Sequence, residues 1–314
     1  MKSQTISWFK ELTGLDETPP NVARLSVIDN KLVSPGTTKS YDIGTFQITT
    51  LMSLKDGLRM TKTGNAPNTV DTIYSNATEL HIDPQNEGAT FQVASQFNFL
   101  EMPNPDITPQ HGVDGYLYDN TQGPACAIAC GAATIYRNYF LQHTTQQFNG
   151  LSYIENLIEN DKEQYWRMKN GYALLNTCTM NELNKILEHN PQIGNQLRIG
   201  IHHGAQVTLN NRQHKVTQVF CSALPLSYIT RSQFAEIDPI YKPFATTILN
   251  ATYEATLIAA FFNKLNTGNS TLFLTRIGGG AFGNEQEWID EAIDNALAKY
   301  SHLGLDIKLV EYKR

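Results

Sequence analysis

The sequence predicts a three-layer α/β/α sandwich built on a mixed, mostly parallel central sheet, with an N-terminal extension. Three observations predict it. Strand-like and helix-like stretches alternate through most of the 314 residues. The chain closes on an apolar strand, a glycine turn, an amphipathic helix and a further strand, which is a βαβ unit. Finally, PACAIACGAATIYRNYF (124–140) reads as a helix whose Ala, Cys and Gly allow very close approach to a sheet.

Residues 1–40 are polar and punctuated by Pro19, Pro20, Pro35 and Gly36. They read as a segment lying over the core, with one short helix near 5–13. The extension as a whole is placed at 1–70 and the main domain at 71–314. TFQITTLM (45–52) is a strand running into a helix, and TKTGNAPNT (61–69) is a loop by its Gly, Pro and Asn content. LHID (80–83) and TFQVASQF (90–97) are expected strands around a PQNEG turn. Residues 98–123 are long and irregular. A loop of that size in a compact domain is usually functional or disordered, and Phe97, Phe99, Tyr116 and Tyr118 favour an ordered one. It ends at Gly123-Pro124, where Pro suits the first turn of the 124–140 helix. Residues 151–190 read as mainly helical. LRIGIHHG (197–204) and KVTQVFCSAL (215–224) read as strands, and 241–265 as a long helix by its apolar spacing. STLFLTRI (270–277), GGGAFGN (278–284), the helix 285–301 and LDIKLVEY (305–312) form the closing unit.

Composition narrows the function classes. Hydrophobic content is 41% and charged content 17%, an ordinary globular balance. The net charge of -6 disfavours a general nucleic-acid binder, which carries a basic field. No window approaches the roughly 18 uninterrupted apolar residues of a membrane span. No secretory signal is visible at the start. Cys126, Cys130, Cys178 and Cys221 make no CxxC pair, so they read as free thiols in a reducing, cytoplasmic compartment.

The strongest local signal for chemistry is FLTRIGGGAFGNEQEW. Three glycines between a buried strand and a helix let backbone N–H groups approach a phosphate, and the helix dipole adds positive potential. The spacing is not GxGxxG, and the Lys-Ser/Thr of a P-loop is missing. A tight turn without a ligand is the alternative. Phe282 is hard to explain as a turn residue and could cover a sugar or base. The 98–123 loop is the second signal. Two such strand-to-helix loops could clamp one ligand at the carboxyl ends of the strands. Its acids are Glu101, Asp106, Asp114 and Asp119. Glycosidic-bond cleavage needs one group to protonate the leaving atom and another to orient water or stabilise an oxocarbenium-like ribose. Glu101 and Asp119 flank apolar or glycine-rich segments and are the better candidates; Asp106 and Asp114 read as solvated. Arg137 and Asn138 could reach the sheet or a phosphate, or be structural. The histidines show no metal-ligand spacing, and no GxSxG nucleophile is present.

ASQFNFLEMPNPDITPQHGVDGYLYDNTQGPACAIACGAATIYRNYF, MKNGYALL, LRIGIHHGAQVT, VTQVFCSALPLSY and FLTRIGGGAFGNEQEWI together resemble a family of macrodomain-like ADP-ribosyl hydrolases. The resemblance covers roughly residues 75–312. It implies a macrodomain-like fold that holds ADP-ribose in a cleft between two loops, 96–124 and 278–284. It implies that Gly278, Gly279, Gly280, Ala281, Phe282 and Gly283 line the diphosphate and distal ribose, and that Asn284 caps the next helix or touches the ribose. Gln96, Asn98, Glu101, Asp119, Thr121, Gln122 and Gly123 would surround the distal ribose and scissile bond, with Glu101, Asp119 and Asn98 catalytic. Macrodomains usually have a short, Gly-rich first loop, whereas this one is long and acidic. The extra acids suit an arginine-linked ADP-ribose, whose guanidinium is cationic. A bacterial effector delivered into a host cell is the setting that branch of the family implies. The expected partners are ADP-ribose and an ADP-ribosylated protein, with no nucleic acid. No redox cofactor or metal is expected, although the loop acids could hold Mg²⁺. Two other readings stay open: a module that binds ADP-ribose without turnover, and a protein whose glycine turn is merely tight.

Overall fold

The computed structural model describes residues 7–143, 145–230 and 238–312. In chain order the strands are β1 (Ser26–Ile28), β2 (Lys31–Val33), β3 (Ser40–Asp42), β4 (Thr45–Thr50), β5 (Thr69–Ser75) and β6 (Thr90–Ala94). Then come β7 (Trp166–Lys169), β8 (Tyr172–Leu175), β9 (Arg198–Gln206), β10 (Lys215–Cys221), β11 (Thr271–Leu274) and β12 (Asp306–Tyr312).

Seven strands form the central sheet in the order β4-β9-β10-β6-β11-β12-β5. β9 is antiparallel to both β4 and β10, and every other neighbouring pair is parallel. The sheet is therefore mixed and mostly parallel, as the alternation of elements predicts. Side chains alternate across it. Val219, Cys221, Leu272 and Leu274 join the core under the helices Leu51–Met60, Met180–His189, Lys242–Thr267 and Gln286–Lys299. Phe91, Val93, Val216 and Phe220 join the opposite core, under the helices Ala77–Ile82, Gln122–Ala129 and Gly131–Tyr139. That makes three layers. A fourth deposit lies outside them: Trp8, Phe9 and Leu12 of the helix Trp8–Thr13 pack on Ala127, Ala132 and Ile135. Of the helix expected near 5–13, residues 5 and 6 lie outside the described residues. β4, inside the 1–70 span assigned to the extension, is one of the two edge strands of the central sheet.

Three local expectations are corrected. The first three residues of LHID are helical, within Ala77–Ile82, because the Asn76 side chain caps the Glu79 amide at 2.9 Å and starts a turn. The 124–140 helix is broken at Cys130 (φ -109°, ψ 54°). There Thr208 enters the ladder, its hydroxyl accepting from the Gly131 amide and its amide donating to the Ala129 carbonyl. The 151–190 stretch is not mainly helical, because β7 and β8 form a hairpin inside it. Asn170 (φ 45°) and Gly171 (φ 82°) supply the two left-handed residues that a two-residue hairpin loop requires.

Candidate active site at the parting of two strands

β6 and β11 pair only at their start, Thr90 beside Leu272 and Phe91 beside Phe273. Beyond that point they separate, and side chains take over the ladder. Gln122 accepts from the Ala94 amide (2.8 Å) and donates to the Gln92 carbonyl (2.7 Å). The Gln92 side chain accepts from the Thr275 amide (3.1 Å). After β6 the chain leads to the 122–139 helices on one face; after β11 it leads to Gln286–Lys299 on the other. Open α/β sheets leave a crevice at such a switch point, at the carboxyl ends of the strands.

A cavity of about 180 Å³, partly open to solvent, occupies that crevice. Gln96, Glu101, Asp119, Thr121 and Gln122 line it from the first loop, and Gly278, Gly280, Ala281 and Phe282 from the second. Two segments more than 150 residues apart in sequence thus line one shared space.

The glycine loop is held at its ends and free in its middle. Asn284 closes it, with its amide and its Nδ2 both donating to the Gly278 carbonyl and Nδ2 also to the Leu224 carbonyl. Gly278 has φ 88°, and a Cβ there would fall 2.5 Å from that of Ala223, so only glycine fits. Ser227 ties the far side through the Ala281 and Phe282 carbonyls. Among the described residues, no protein acceptor takes the amides of Gly278, Gly279, Gly280, Ala281 or Phe282. A row of unengaged backbone N–H groups before a helix is the composition of an anion nest.

The carboxylate side is built by a tight turn. The Gln96 amide donates to the Leu100 carbonyl and the Phe99 amide to the Gln96 carbonyl, with Phe99 at φ 63°. The Gln96 side chain then accepts from the Met102 amide at 2.7 Å. This delivers Glu101, 1% exposed, to the cavity wall. Nη2 of Arg137 reaches both Glu101 oxygens, at 2.9 and 3.0 Å. Arg137 is itself fully buried, its Nε donating to the Phe99 carbonyl and its guanidinium 3.9 Å from the Phe220 ring centre. Burial pushes the Glu101 carboxyl up to about 7, against the opposing pull of Arg137. Asp119 sits opposite in kind: half-buried, accepting from the amide and hydroxyl of Thr121 at 2.9 and 2.7 Å.

Other expected site residues stand behind the lining. Asn98 is fully buried; it donates to Gln147 (2.8 Å) and accepts from the Leu100 amide (3.1 Å), so it shapes the turn that carries Glu101. Gly123 packs against the Ala94 carbonyl, where any side chain would collide. Gly279, Gly283 and Asn284 belong to the loop but not to the cavity wall, and the helix N-cap is Glu285.

Tyr172, Tyr228 and Arg276, which sequence reasoning missed, complete the wall. Tyr172, Tyr228 and Phe282 form an aromatic cluster with ring centres 5.1 to 6.2 Å apart. The Tyr172 hydroxyl donates to the Met102 carbonyl at 2.6 Å, which fixes β8 to the first loop. The Asn170-Gly171 turn was the signal that could have found this hairpin. Arg276 also lines the cavity, bound to Asp290 and Glu311. Among the described residues no group of three or more His, Cys, Asp or Glu converges in the manner of metal ligands.

No family model matches the sequence, and no curated protein does. Solved structures similar to this chain are poly(ADP-ribose) glycohydrolases. The enzyme from Deinococcus radiodurans in complex with ADP-ribose is 11% identical, with 86% of this chain and 88% of that one covered and a TM-score of 0.47. The enzyme from Thermomonospora curvata is 12% identical, with 84% and 79% covered and a TM-score of 0.47. The latter bound to the inhibitor ADP-HPD is 11% identical, with 85% and 78% covered and a TM-score of 0.43.

Proposed function

We propose that the chain hydrolyses the glycosidic bond joining ADP-ribose to a modified protein, with arginine as the modified side chain. One observation carries the reading. The two loops that the family resemblance assigns to ADP-ribose line a single cavity, one presenting a buried carboxylate and the other a row of unengaged backbone amides. In this reading the amides of 278–282 hold the diphosphate. Tyr172, Tyr228 and Phe282 cover a sugar or base. Glu101, held partly neutral by burial, gives its proton to the departing guanidino nitrogen as the C–N bond breaks. Asp119 takes the proton of the attacking water, whose oxygen bonds to the ribose carbon, and stabilises the positive charge that develops there. Gln96, Thr121 and Gln122 flank the reacting ribose, and Asn98 holds the turn beneath it. Glu101 and Asp119 line the cavity, and its one lining cation, Arg276, is engaged by Asp290 and Glu311, which leaves Asp119 to face a cationic leaving group.

No redox cofactor is needed for such a step. Of the two carboxylates that a hard cation would take, Glu101 is already engaged by Arg137, so we expect activity to survive EDTA. Action as a bacterial effector in a host cytoplasm is supported by the resemblance alone, and a translocation reporter fused to the chain tests it. Among the described residues no helix is long and apolar enough to cross a membrane.

The deciding experiment measures ADP-ribose release from arginine-, glutamate- and serine-linked proteins by the wild type, Glu101→Gln and Asp119→Asn. Arginine-linked substrate should be cleaved fastest. Each variant should lose at least about a hundredfold in kcat and keep its ADP-ribose affinity by calorimetry. Full activity in both variants removes these roles. The engagement of both Glu101 oxygens by Arg137 favours a second reading, a binding module without turnover. Affinity for ADP-ribose with no release from any linkage would establish it.

A further inference from the structure

Behind Glu101, three fully buried side chains carry polar atoms with no hydrogen-bond partner among the described residues. Arg137 spends Nε on the Phe99 carbonyl and Nη2 on both Glu101 oxygens, which leaves Nη1 unbonded. Neither ring nitrogen of His202, on β9, is bonded. Gln218, on β10, donates through Nε2 to the Cys126 carbonyl and lies 3.1 Å from the His81 ring, but its Oε1 is unbonded. The three share one face of the sheet. Gln218 and His202 are direct cross-strand partners. The Arg137 guanidinium lies 3.9 Å from the ring centre of Phe220, the next residue of β10 on that face, about 7 Å along the strand. Around the His202 ring stand Tyr136 and Arg137 of the helix Gly131–Tyr139, Phe46 of β4, the neighbouring His203 and the Ile43 backbone. Burial and the charge of Arg137 push the imidazole down to about 3, so the ring is neutral.

A neutral imidazole offers one donor and one acceptor, a guanidinium only donors, and Gln218 Oε1 only accepts. One water satisfies the set: it accepts from Nη1 of Arg137 and donates to one His202 nitrogen and to Gln218 Oε1. Three bonds are what a buried water ordinarily makes, and the other His202 N–H is left to turn to the Ile43 carbonyl. We propose that a single ordered water joins Arg137, His202 and Gln218, and that His202 is thereby a positioning residue that favours the acid form of Glu101. The physical reason is the state of Arg137. When Glu101 holds its proton, Arg137 is a buried cation facing a neutral acid, and the dipoles at Nη1 are what solvate it. Without them Arg137 depends on the carboxylate, and Glu101 ionises more readily. Tyr116 and Cys126 also bear on Glu101, and burial keeps both neutral. Asp119 and Arg276 line the same cavity, the latter paired with Asp290 and Glu311. The inference rests on the hydrolase reading for what Glu101 does and adds what sets its charge.

The test follows the Glu101 carboxyl by its carbon NMR shift across pH in wild type, His202→Leu and His202→Gln, with the alkaline limb of kcat as a second readout. His202→Leu removes the acceptor, so both midpoints should fall by about one pH unit from about 7. His202→Gln restores an acceptor, and its midpoints should stay within about 0.3 of wild type. A His202→Leu midpoint that stays or rises overturns the proposal, and so does a His202→Gln midpoint that falls as far. Two measurements on the wild type hold even if His202→Leu does not fold. A high-resolution crystal structure should show a water about 3 Å from Arg137 Nη1, a His202 nitrogen and Gln218 Oε1; a dry site overturns the proposal. Nitrogen NMR of the rings should find His202 neutral between about pH 5 and 8, and titration in that range overturns it equally. If the wild type cleaves no ADP-ribose linkage, the hydrolase reading fails, while the carboxyl titration and the water still decide this inference.

Discussion

Glu101 sits between two opposed influences. Burial favours its neutral form, and Arg137, itself buried and short of a partner for Nη1, favours the ionised one. The balance leaves the carboxyl near 7, above its ordinary 4.5. A group raised in the folded state stabilises the fold while protonated. Its contribution is therefore complete below about pH 4.5 and lost as pH rises through about 7. The stability of wild type relative to Glu101→Gln should decline between those values and level off above, by denaturant titration across pH. The same linkage reaches catalysis. Arg137→Lys weakens the pull toward ionisation, so the proton persists to higher pH and the alkaline limb of kcat should move upward from about 7. An unmoved limb in a folded Arg137→Lys enzyme would separate Arg137 from the acid. In sequence, Glu101 could be picked as a candidate because it precedes a Pro-rich loop after an apolar run. Its partner could not, since 36 residues separate Arg137 from it and only the packing of a helix under the turn joins them.

At the scale of elements, the glycine loop separates two roles that one motif conceals. Gly278 has a left-handed backbone and no room for a Cβ, whereas Gly280 has an ordinary backbone and open space around it. Gly278→Ala should cost roughly 1–3 kcal/mol of stability. Gly280→Ala should unfold like wild type but bind ADP-ribose more weakly, because the added methyl enters the cavity; equal affinity by calorimetry would contradict this. The first loop has its own support. Glu17, from the N-terminal segment, accepts from the amides of Val113 and Asp114 at 2.9 and 2.8 Å and from the Tyr139 hydroxyl at 2.7 Å. Those amides open the short helical turn Asp114–Tyr118, which ends on Asp119 and carries Tyr116, whose hydroxyl accepts from the Glu101 amide. Glu17→Ala leaves two backbone donors unpaired, at about 1–3 kcal/mol, and should lower kcat more than ADP-ribose affinity. Strands and helices with strong period were legible: β4, β9, β10, β11, β12 and the long Lys242–Thr267 helix all fall where the pattern puts them. LHID was misread because four residues do not distinguish period 2 from period 3.6, and its cap lies upstream at Asn76.

At the scale of the whole molecule, residues from the start of the chain pack on the helices that follow the first loop. Trp8, Phe9 and Leu12 cover Ala127, Ala132 and Ile135, and the Trp8 indole donates to the Val113 carbonyl. Removal of residues 1–43 should expose that apolar patch, raise dye binding and abolish activity even if the central sheet persists; an active truncated enzyme would show that the segment is only a cover. The sequence by itself determined the strongly periodic strands and helices, that a glycine loop precedes the last helix, and that the chain is acidic and lacks an apolar span. These follow from side-chain period and residue type, which are local properties. Tertiary structure alone decided that β6 and β11 are neighbours that part, and that Arg137 lies under Glu101. It alone brought Tyr172 to Phe282. Those facts depend on strand order, and strand order is set by which apolar faces pack together across distances that no local pattern encodes.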